Sequence, residues 1–494
     1  MNDVPTQEQH GDIVVLTPAA EAAASQNTSM WNDDLRPCTL AEHNWPGSKF
    51  ASLWVGMCLC LPTYTLASGF ISLGMNWVEA VLTVLLGSVI VMAAILLVSH
   101  AGTKYGIPYP VFARLWFGTK GAHLPALARA VIGAGWFGIN CWFGGGALNA
   151  ILVHVLPGWS GQGFDVFVAF AVFWLINVAI SARGPQTIGR LAQLAAPTLA
   201  VSAVVLLIWA VHGAGGFGPM LAAPSTIHGS AFWGNFIASV IGVVSFWATM
   251  ALNIPDYTRY ATSQRGQMLG QVWSMPLAMA LFSFVGIAVA SATQQMYGKA
   301  IWDPIALIAT FPPVVVVIAG LIVILSSVTI NVGANVMAPA RAFQNLWPSK
   351  ITFAIGAVLT GLLSLAMQPW WVLAHFQNYV FVWLGGYGIL LGAFDGIAIA
   401  DYWIVRHCRL DLAELYKPAG RYGYGEGVNW LAVVAVFVGW AIAIVGALVK
   451  PLAFLWQAGW FFSLAGGLLA YALSMRKAPS ILDSATFDQI TASS

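Results

Sequence analysis

Inside an apolar region of the 494-residue sequence, the stretch SSVTINVGAN (Ser326 to Asn335) carries two asparagines four residues apart. Four residues along an α-helix return to within about 40° of the same direction, so Asn331 and Asn335 share a face. The stretch GAGWFGIN sets Trp136 and Asn140 at the same spacing, and SFWAT adds a second indole, Trp247. This set suits recognition rather than bond making. Each asparagine amide offers a carbonyl acceptor and an NH2 donor, the complement of the N–H and C=O edge of a hydantoin, pyrimidine or purine. Indole faces stack on flat rings, which adds on the order of 0.5–1.5 kcal/mol beyond area burial. The competing role for a membrane asparagine is a bond to a neighbouring helix, and many of the 23 tryptophans belong at the bilayer interface. It is the combination that points to a site for a neutral, planar, amide-bearing ring. No Arg or Lys converges on the expected midplane as a carboxylate clamp, which weighs against amino acids, although a broken-helix N-terminus can take a carboxylate instead.

Holding such a set in place requires a bundle in lipid. The chain is 59% hydrophobic and 8% charged, with mean hydropathy +0.78, where a soluble domain carries roughly 25% charged residues. The composition specifies an all-α polytopic membrane protein with the lipid bilayer as its surroundings. A net charge of +2 implies no nucleic-acid partner. Cys38, Cys58, Cys60, Cys141 and Cys408 form no disulfide framework or metal spacing, and Cys58 and Cys60 read as small packing residues. Nothing demands a cofactor, and no segment specifies an oligomeric state. The start lacks the apolar core of a cleavable signal peptide; residues 1–46 and 477–494 read as mostly disordered cytoplasmic tails.

Apolar stretches near 20 residues give twelve spans, starting near Phe50, Trp77, Leu124, Phe164, Leu191, Phe232, Val272, Pro313, Ile351, Tyr379, Asn429 and Phe454. With the N-terminus inside, all but three of the 20 Lys and Arg residues fall in inside segments. Lys299 and Lys450 lie outside, and Arg129 lies within the third span as a snorkelling or helix-pairing residue. That asymmetry supports twelve spans with both termini cytoplasmic. The expected divisions are helices one to five in 47–212, six to ten in 213–400, a cytoplasmic loop at 401–428 and two last helices in 429–476. Two spans carry interruptions: Pro62 within the first, and Gly242 with Pro255 beyond it in the sixth. In five-plus-five inverted-repeat transporters, spans one and six are the discontinuous pair at the substrate site. Glu79 is placed at an outer interface. Asp395 lies inside the tenth span, where an acid is costly and often functional, here as a proton acceptor; reaching cytoplasmic water or a loop Arg is its other role.

At these residues the sequence resembles the nucleobase–cation symporter-1 family, especially its bacterial hydantoin and allantoin permeases. The matching stretches, spread over Leu40 to Arg476, include HAGTKYGIPYPVFAR, GWFGIN, WATMALNIPDYTRYA, NVGANVMAPA and ADYWIVRHCRLDLAELY. The resemblance implies a LeuT-type fold, ten core helices in two inverted five-helix repeats plus two C-terminal helices. It also implies a ring sandwiched between Trp136 and Trp247, with Asn140 at a position where the family has glutamine, and with Asn331 and Asn335 as the eighth-span asparagines. Cys60 occupies the first-span position near the break and is a poor hydrogen-bond partner there; Val243, one turn before Trp247, joins the same substrate set. For a sodium site the resemblance implies carbonyls of Gly56, Leu59 and Ser326 and two adjacent hydroxyls, which fall at Thr329 and Ile330. Ile330 offers no oxygen, so sodium coupling is expected to be weak and a proton is favoured.

The implied activity is secondary active uptake of a small ring compound, such as allantoin, a hydantoin or a pyrimidine base. An amino-acid or amine carrier of the same fold is the alternative. No HExxH, GxSxG or phosphate-binding Gly-Lys-Ser/Thr motif occurs, which argues against an enzyme, and no continuous polar lining argues for a channel.

Overall fold

The structure, a computed structural model, describes residues 5–27, 29–33, 35–184, 189–346, 350–478 and 481–493. Among the described residues, eight helices are long and apolar enough to cross a membrane, or up to ten spans if each of two sharply bent pairs is one. Two shorter apolar helices, Pro197–Gly213 and Phe353–Ala366, stand where the fifth and ninth spans are expected. In chain order the main helices are α1 (Gly47–Cys58), α2 (Leu61–Ser72), α3 (Trp77–Tyr105), α4 (His123–Val155), α5 (Phe164–Ala182), α6 (Gly189–Gly213) and α7 (Gly229–Asn253). They continue as α8 (Gln264–Tyr297), α9 (Pro313–Ile330), α10 (Met337–Leu346), α11 (Phe353–Ala366), α12 (Gly385–Ile399), α13 (Trp430–Leu448) and α14 (Gly459–Ser474).

Local sequence explains the ends. Asn76 and Glu79 cap α3 reciprocally, each side chain accepting the other's backbone N–H at 2.9 Å, which satisfies two otherwise orphaned donors. Gly106 ends the same helix with φ +63°, a left-handed turn that glycine enters without a Cβ clash. In the core, α8 packs on α1, α2 and α3, α7 on α3 and α12, and α4 on α5, α9 and α11. Outer faces expose Val201, Ile208, Leu277, Leu281, Val314, Leu321, Phe437 and Leu469. Such a belt suits acyl chains, and helices can face lipid because they satisfy their own backbone groups.

The first expected interruption is present. α1 and α2 meet at 60°, with Cys60 extended at φ −144°, ψ 156°. Pro62 is the second residue of α2, where its missing N–H breaks no helical bond. The interruption expected in the sixth span is not there: α7 runs unbroken through Gly242. A Cβ on Gly242 would lie 2.9 Å from Val380 Cγ1, so this glycine serves close packing rather than unwinding. The irregularity falls instead at the end of α9, where Asn331–Asn335 form a π-helical segment, the wider i→i+5 coil often found at functional sites.

The tails also differ from the expectation of disorder. Gln7–His10 (β1) pairs antiparallel with Ile13–Leu16 (β2) and parallel with Thr491–Ser493 (β3). Gln7 is fully buried beneath them, donating to the Leu410 carbonyl and accepting from Leu412 N–H at 3.0 Å. A run of IVVL with strand-forming Ile and Val marks β2; its partners lie at the far end of the chain, beyond local pattern. Residues 1–4, 28, 34, 479, 480 and 494 lie outside the described set. The loop expected from 401 begins later, because helical turns persist to Val405. Buried Asp401 is held there by Arg406 Nε at 2.8 Å and Tyr471 Oη at 2.5 Å, which stabilises the extra turn.

Candidate functional site

Beside the α1–α2 break lies a cavity of about 540 Å³, within the size range of small-molecule sites. Gly56, Leu59 and Cys60 reach it from the break, Trp136 and Asn140 from α4, Phe246 and Trp247 from α7. Thr329, Ile330 and Asn335 complete it from the α9 region, and Ala195 and Leu199 from α6. The sequence-predicted set is therefore largely brought together around one space.

The amides present their oxygens. Asn140 Nδ2 donates to the Trp136 carbonyl at 3.0 Å, and its Oδ1 has no partner. Only an NH2 can donate to a carbonyl, so this bond fixes which end of the amide is left for a ligand. Asn335 is tied back in the same way, with Nδ2 donating to Asn331 Oδ1 at 2.9 Å. Asn331 itself does not line the cavity; it is fully buried and donates to the Phe137 carbonyl at 3.1 Å. Trp247 Nε1 is buried without an acceptor. At the cavity wall, Asn140 Oδ1 and Trp247 Nε1 are buried without a partner among the described residues, and Asn335 engages Asn331 through its NH2.

The aromatic wall is more elaborate than two indoles. Phe246 meets Trp136 edge-on at 5.1 Å and Trp247 at the same centroid distance. Trp54 packs edge-on against Trp247 at 5.2 Å, and the Trp54 indole N–H is held by Gln271 Oε1 at 3.1 Å. Such contacts fix ring planes before any ligand arrives.

Several expected residues lie elsewhere. Val243 is fully buried and faces α3, where its Cβ would stand 2.6 Å from a Cβ placed on Gly87; it packs two helices and does not line the cavity. Ser326 is buried behind Thr329 and is likewise outside the lining. Asp395 sits between α12 and α14, accepting from Trp460 Nε1 at 3.2 Å with its other oxygen unpartnered, and lines neither cavity described here. For a cation, Gly56, Leu59 and Thr329 do gather at the break. However, the Thr329 hydroxyl lies within hydrogen-bond reach of the Leu325 and Ser326 carbonyls, at 2.9 and 3.0 Å, and Ile330 supplies no oxygen. Cys60, read from sequence as a packing residue as well as a site position, lines the cavity, whereas Cys58 is fully buried.

Sequence reasoning missed Phe246, Tyr257 and above all Arg129. Arg129 is only 8% exposed and does not snorkel: it lines the central cavity and also a second one of about 310 Å³. The two cavities share Arg129, Tyr257, Gly333 and Ala334, and the second continues to Asp256, Arg341, Asn32 and Leu35. This corrects the expectation that no basic residue approaches the site. The available signal was spacing, since Arg129 stands seven residues before Trp136 and a heptad drifts only about 20° around a helix.

The chain is similar to known permeases. The pattern of a family described as permeases for cytosine/purines, uracil, thiamine and allantoin matches residues 37–470. The chain is 40% identical over 434 residues to a purine-uracil permease of Arabidopsis thaliana, covering 85% of this chain and 72% of that protein. It is 35% identical over 466 residues to an allantoin permease of Bacillus subtilis, covering 92% and 95%. Among solved structures, the inward-facing conformation of Mhp1 superposes with a TM-score of 0.80 at 22% identity, covering 93% of this chain and 97% of that one. Mhp1 closed around bromovinylhydantoin gives 0.74, covering 93% and 99%. The fold is that of Mhp1, and the chain belongs to this permease family, the nucleobase–cation symporters: it is a multi-pass membrane transporter and not an enzyme.

Proposed function

We propose that this transporter imports a neutral, planar ring compound of the hydantoin, ureide or nucleobase type by alternating access. The observation that carries the reading is the pair of amide oxygens, Asn140 Oδ1 and Asn335 Oδ1, presented with the Trp247 indole N–H in one aromatic-walled cavity. Ring N–H groups meet the two oxygens, a ring carbonyl meets the indole N–H, and Trp136 and Trp247 flank the faces. Asn331 positions Asn335, and Cys60 borders the ring without a strong bond to it.

Twelve spans in two inverted five-helix repeats, with two further helices, fit this reading. Pseudo-symmetry pairs span one with six and span two with seven; contact of α1 and α2 with α8 is mirrored by contact of α7 with α3. Both ends of the chain meet in one sheet, as an even number of crossings requires. The excess of basic residues supports a cytoplasmic position for that side, in an inner membrane, and on this reading the second cavity is a cytoplasmic vestibule.

Coupling is to a cation, with a proton favoured over sodium. The engaged Thr329 hydroxyl and the aliphatic Ile330 support weak sodium binding. Asp395 is the proton-accepting candidate, within electrostatic range of Tyr109, which lines the vestibule. An amino-acid or amine carrier of the same fold is the second reading, favoured by the Arg129 guanidinium as a carboxylate partner. Uptake into proteoliposomes of labelled uracil, allantoin, hydantoin and an aromatic amino acid, under a pH gradient in sodium or in choline, tests both. Ring uptake driven by the pH gradient equally in both salts is expected, and lost in Asp395→Asn while exchange persists. Accumulation of the amino acid alone contradicts the substrate reading; dependence on sodium alone contradicts the coupling.

A further inference from the structure

We propose that Arg129 is a specificity-determining residue of the transport site, its guanidinium taking an oxo oxygen of the ring and so favouring oxo-bearing rings over amino-bearing rings of the same size. This inference rests on the ring-transport reading above. Arg129 lies two helical turns from Trp136 on the same face of α4, a rise of about 10 Å, at the wall shared by the central cavity and the vestibule. It is more than nine-tenths buried, yet among the described residues no carboxylate stands within ion-pair distance of it. Its hydrogen bond there is a long one, Nε to Asn253 Oδ1 at 3.4 Å. Asp256, the acid in the same wall, is engaged through Oδ1 by the Tyr109 backbone N–H at 2.8 Å.

A guanidinium carries five N–H donors in a fixed fork and no acceptor. Kept buried without a direct ion pair it is costly, and a cost maintained beside a ligand cavity is explained if the ligand supplies the acceptor. Of the other groups, the Trp247 indole N–H alone donates, and it is a single neutral donor. Asn140 and Asn335 face the cavity with oxygens, which read the ring N–H that accompanies an oxo group and leave the oxo oxygen itself unread. An amino substituent brings hydrogens toward the guanidinium, where neither partner can accept.

The test is equilibrium binding of purified wild-type, Arg129→Gln and Arg129→Lys proteins to two matched pairs, uracil with cytosine and hypoxanthine with adenine. The readout is the affinity ratio within each pair. Wild type is expected to favour the oxo member by about tenfold or more, in line with a charge-assisted hydrogen bond. Arg129→Gln should lower the ratio about tenfold relative to wild type by weakening the oxo member selectively, leaving the share contributed by the amide oxygens and Trp247, and Arg129→Lys should fall between because an ammonium is a point charge without the fork. A merely structural role would weaken both members together. If Arg129→Gln does not fold, the ratio in Arg129→Lys decides, and a wild-type ratio there overturns the proposal. An unchanged ratio in Arg129→Gln overturns it too while leaving ring transport standing. Failure of every ring to bind wild type overturns the transport reading and this inference with it.

Discussion

Asn335 donates its amide N–H to Asn331 Oδ1 at 2.9 Å, and Asn331 donates onward to the Phe137 carbonyl at 3.1 Å. A residue that never touches the cavity thus ties the widened end of α9 to α4 and sets which atom of Asn335 a ligand meets. Asn331→Ala leaves the buried Asn335 amide N–H without its acceptor, which costs about 1–3 kcal/mol of stability. Both the melting temperature and ligand affinity are expected to fall. On the proposed reading, Asn335→Ala instead removes a ligand contact and should abolish saturable binding at a nearly unchanged melting temperature. Calorimetric titration beside a thermal melt separates the two; wild-type affinity in Asn335→Ala contradicts the assignment.

Trp247 provides a cleaner dissection of donor from stacking surface. Its Nε1 has no partner among the described residues, so on the proposed reading Trp247→Phe keeps a ring face and removes a hydrogen bond that a ligand completes. Binding is expected to weaken about tenfold, the scale of one hydrogen bond, with little change in thermal stability. A binding constant equal to wild type in the same titration would show that the indole N–H meets no substrate carbonyl.

Cys60 reports occupancy directly. It lines the cavity, while Cys58 and Cys141 are fully buried and Cys408 lies half-buried in the loop. In a Cys408→Ser background, mass spectrometry should show alkylation of Cys60 slowed about tenfold by ligand at ten times its Kd, as mass action requires. Labelling that ignores a bound ligand would place the binding site elsewhere.

The segment before α1 is pinned by Glu42, which receives both Arg36 nitrogens at 2.6 and 2.8 Å and the Thr39 backbone N–H at 2.8 Å. The Arg36 hydrogen bonds hold its pKa down, from 4.5 to about 2. A carboxyl depressed on folding stabilises the folded segment above its ordinary pKa and loses that contribution as pH falls through its folded value. The anchor is therefore intact at pH 7 and weakens between about pH 4.5 and pH 2. At pH 7, Glu42→Gln should raise hydrogen exchange across residues 36–45 while leaving α4 protected; unchanged exchange would show that the pair anchors nothing.

Of the twelve expected spans, eight, or up to ten with each bent pair as one, stand as long apolar helices among the described residues, legible because long apolar runs are properties of contiguous sequence. The cavity was largely legible for the same reason: Trp136 with Asn140, and Asn331 with Asn335, sit at spacings that any helix puts on one face. What escaped depended on partners distant in the chain. Gly242 looked like a hinge until Val380 stood against it, and Val243 looked like a site residue until α3 covered it. The terminal strands found each other across nearly the whole chain. Arg129 was set aside because intramembrane arginines commonly reach for water or another helix, and only its place between two cavities identifies what it faces.

The most direct measurement is a thermal-shift titration of purified wild-type, Trp136→Ala and Val243→Ala proteins with hydantoin, allantoin, uracil, cytosine, purines and an aromatic amino acid. A ligand that binds only the folded state raises its apparent stability with concentration. A saturable shift with at least one ring compound is predicted for wild type and Val243→Ala, and none for Trp136→Ala. A wild-type shift in Trp136→Ala, or a response to the amino acid alone, would contradict a ring site built on these indoles.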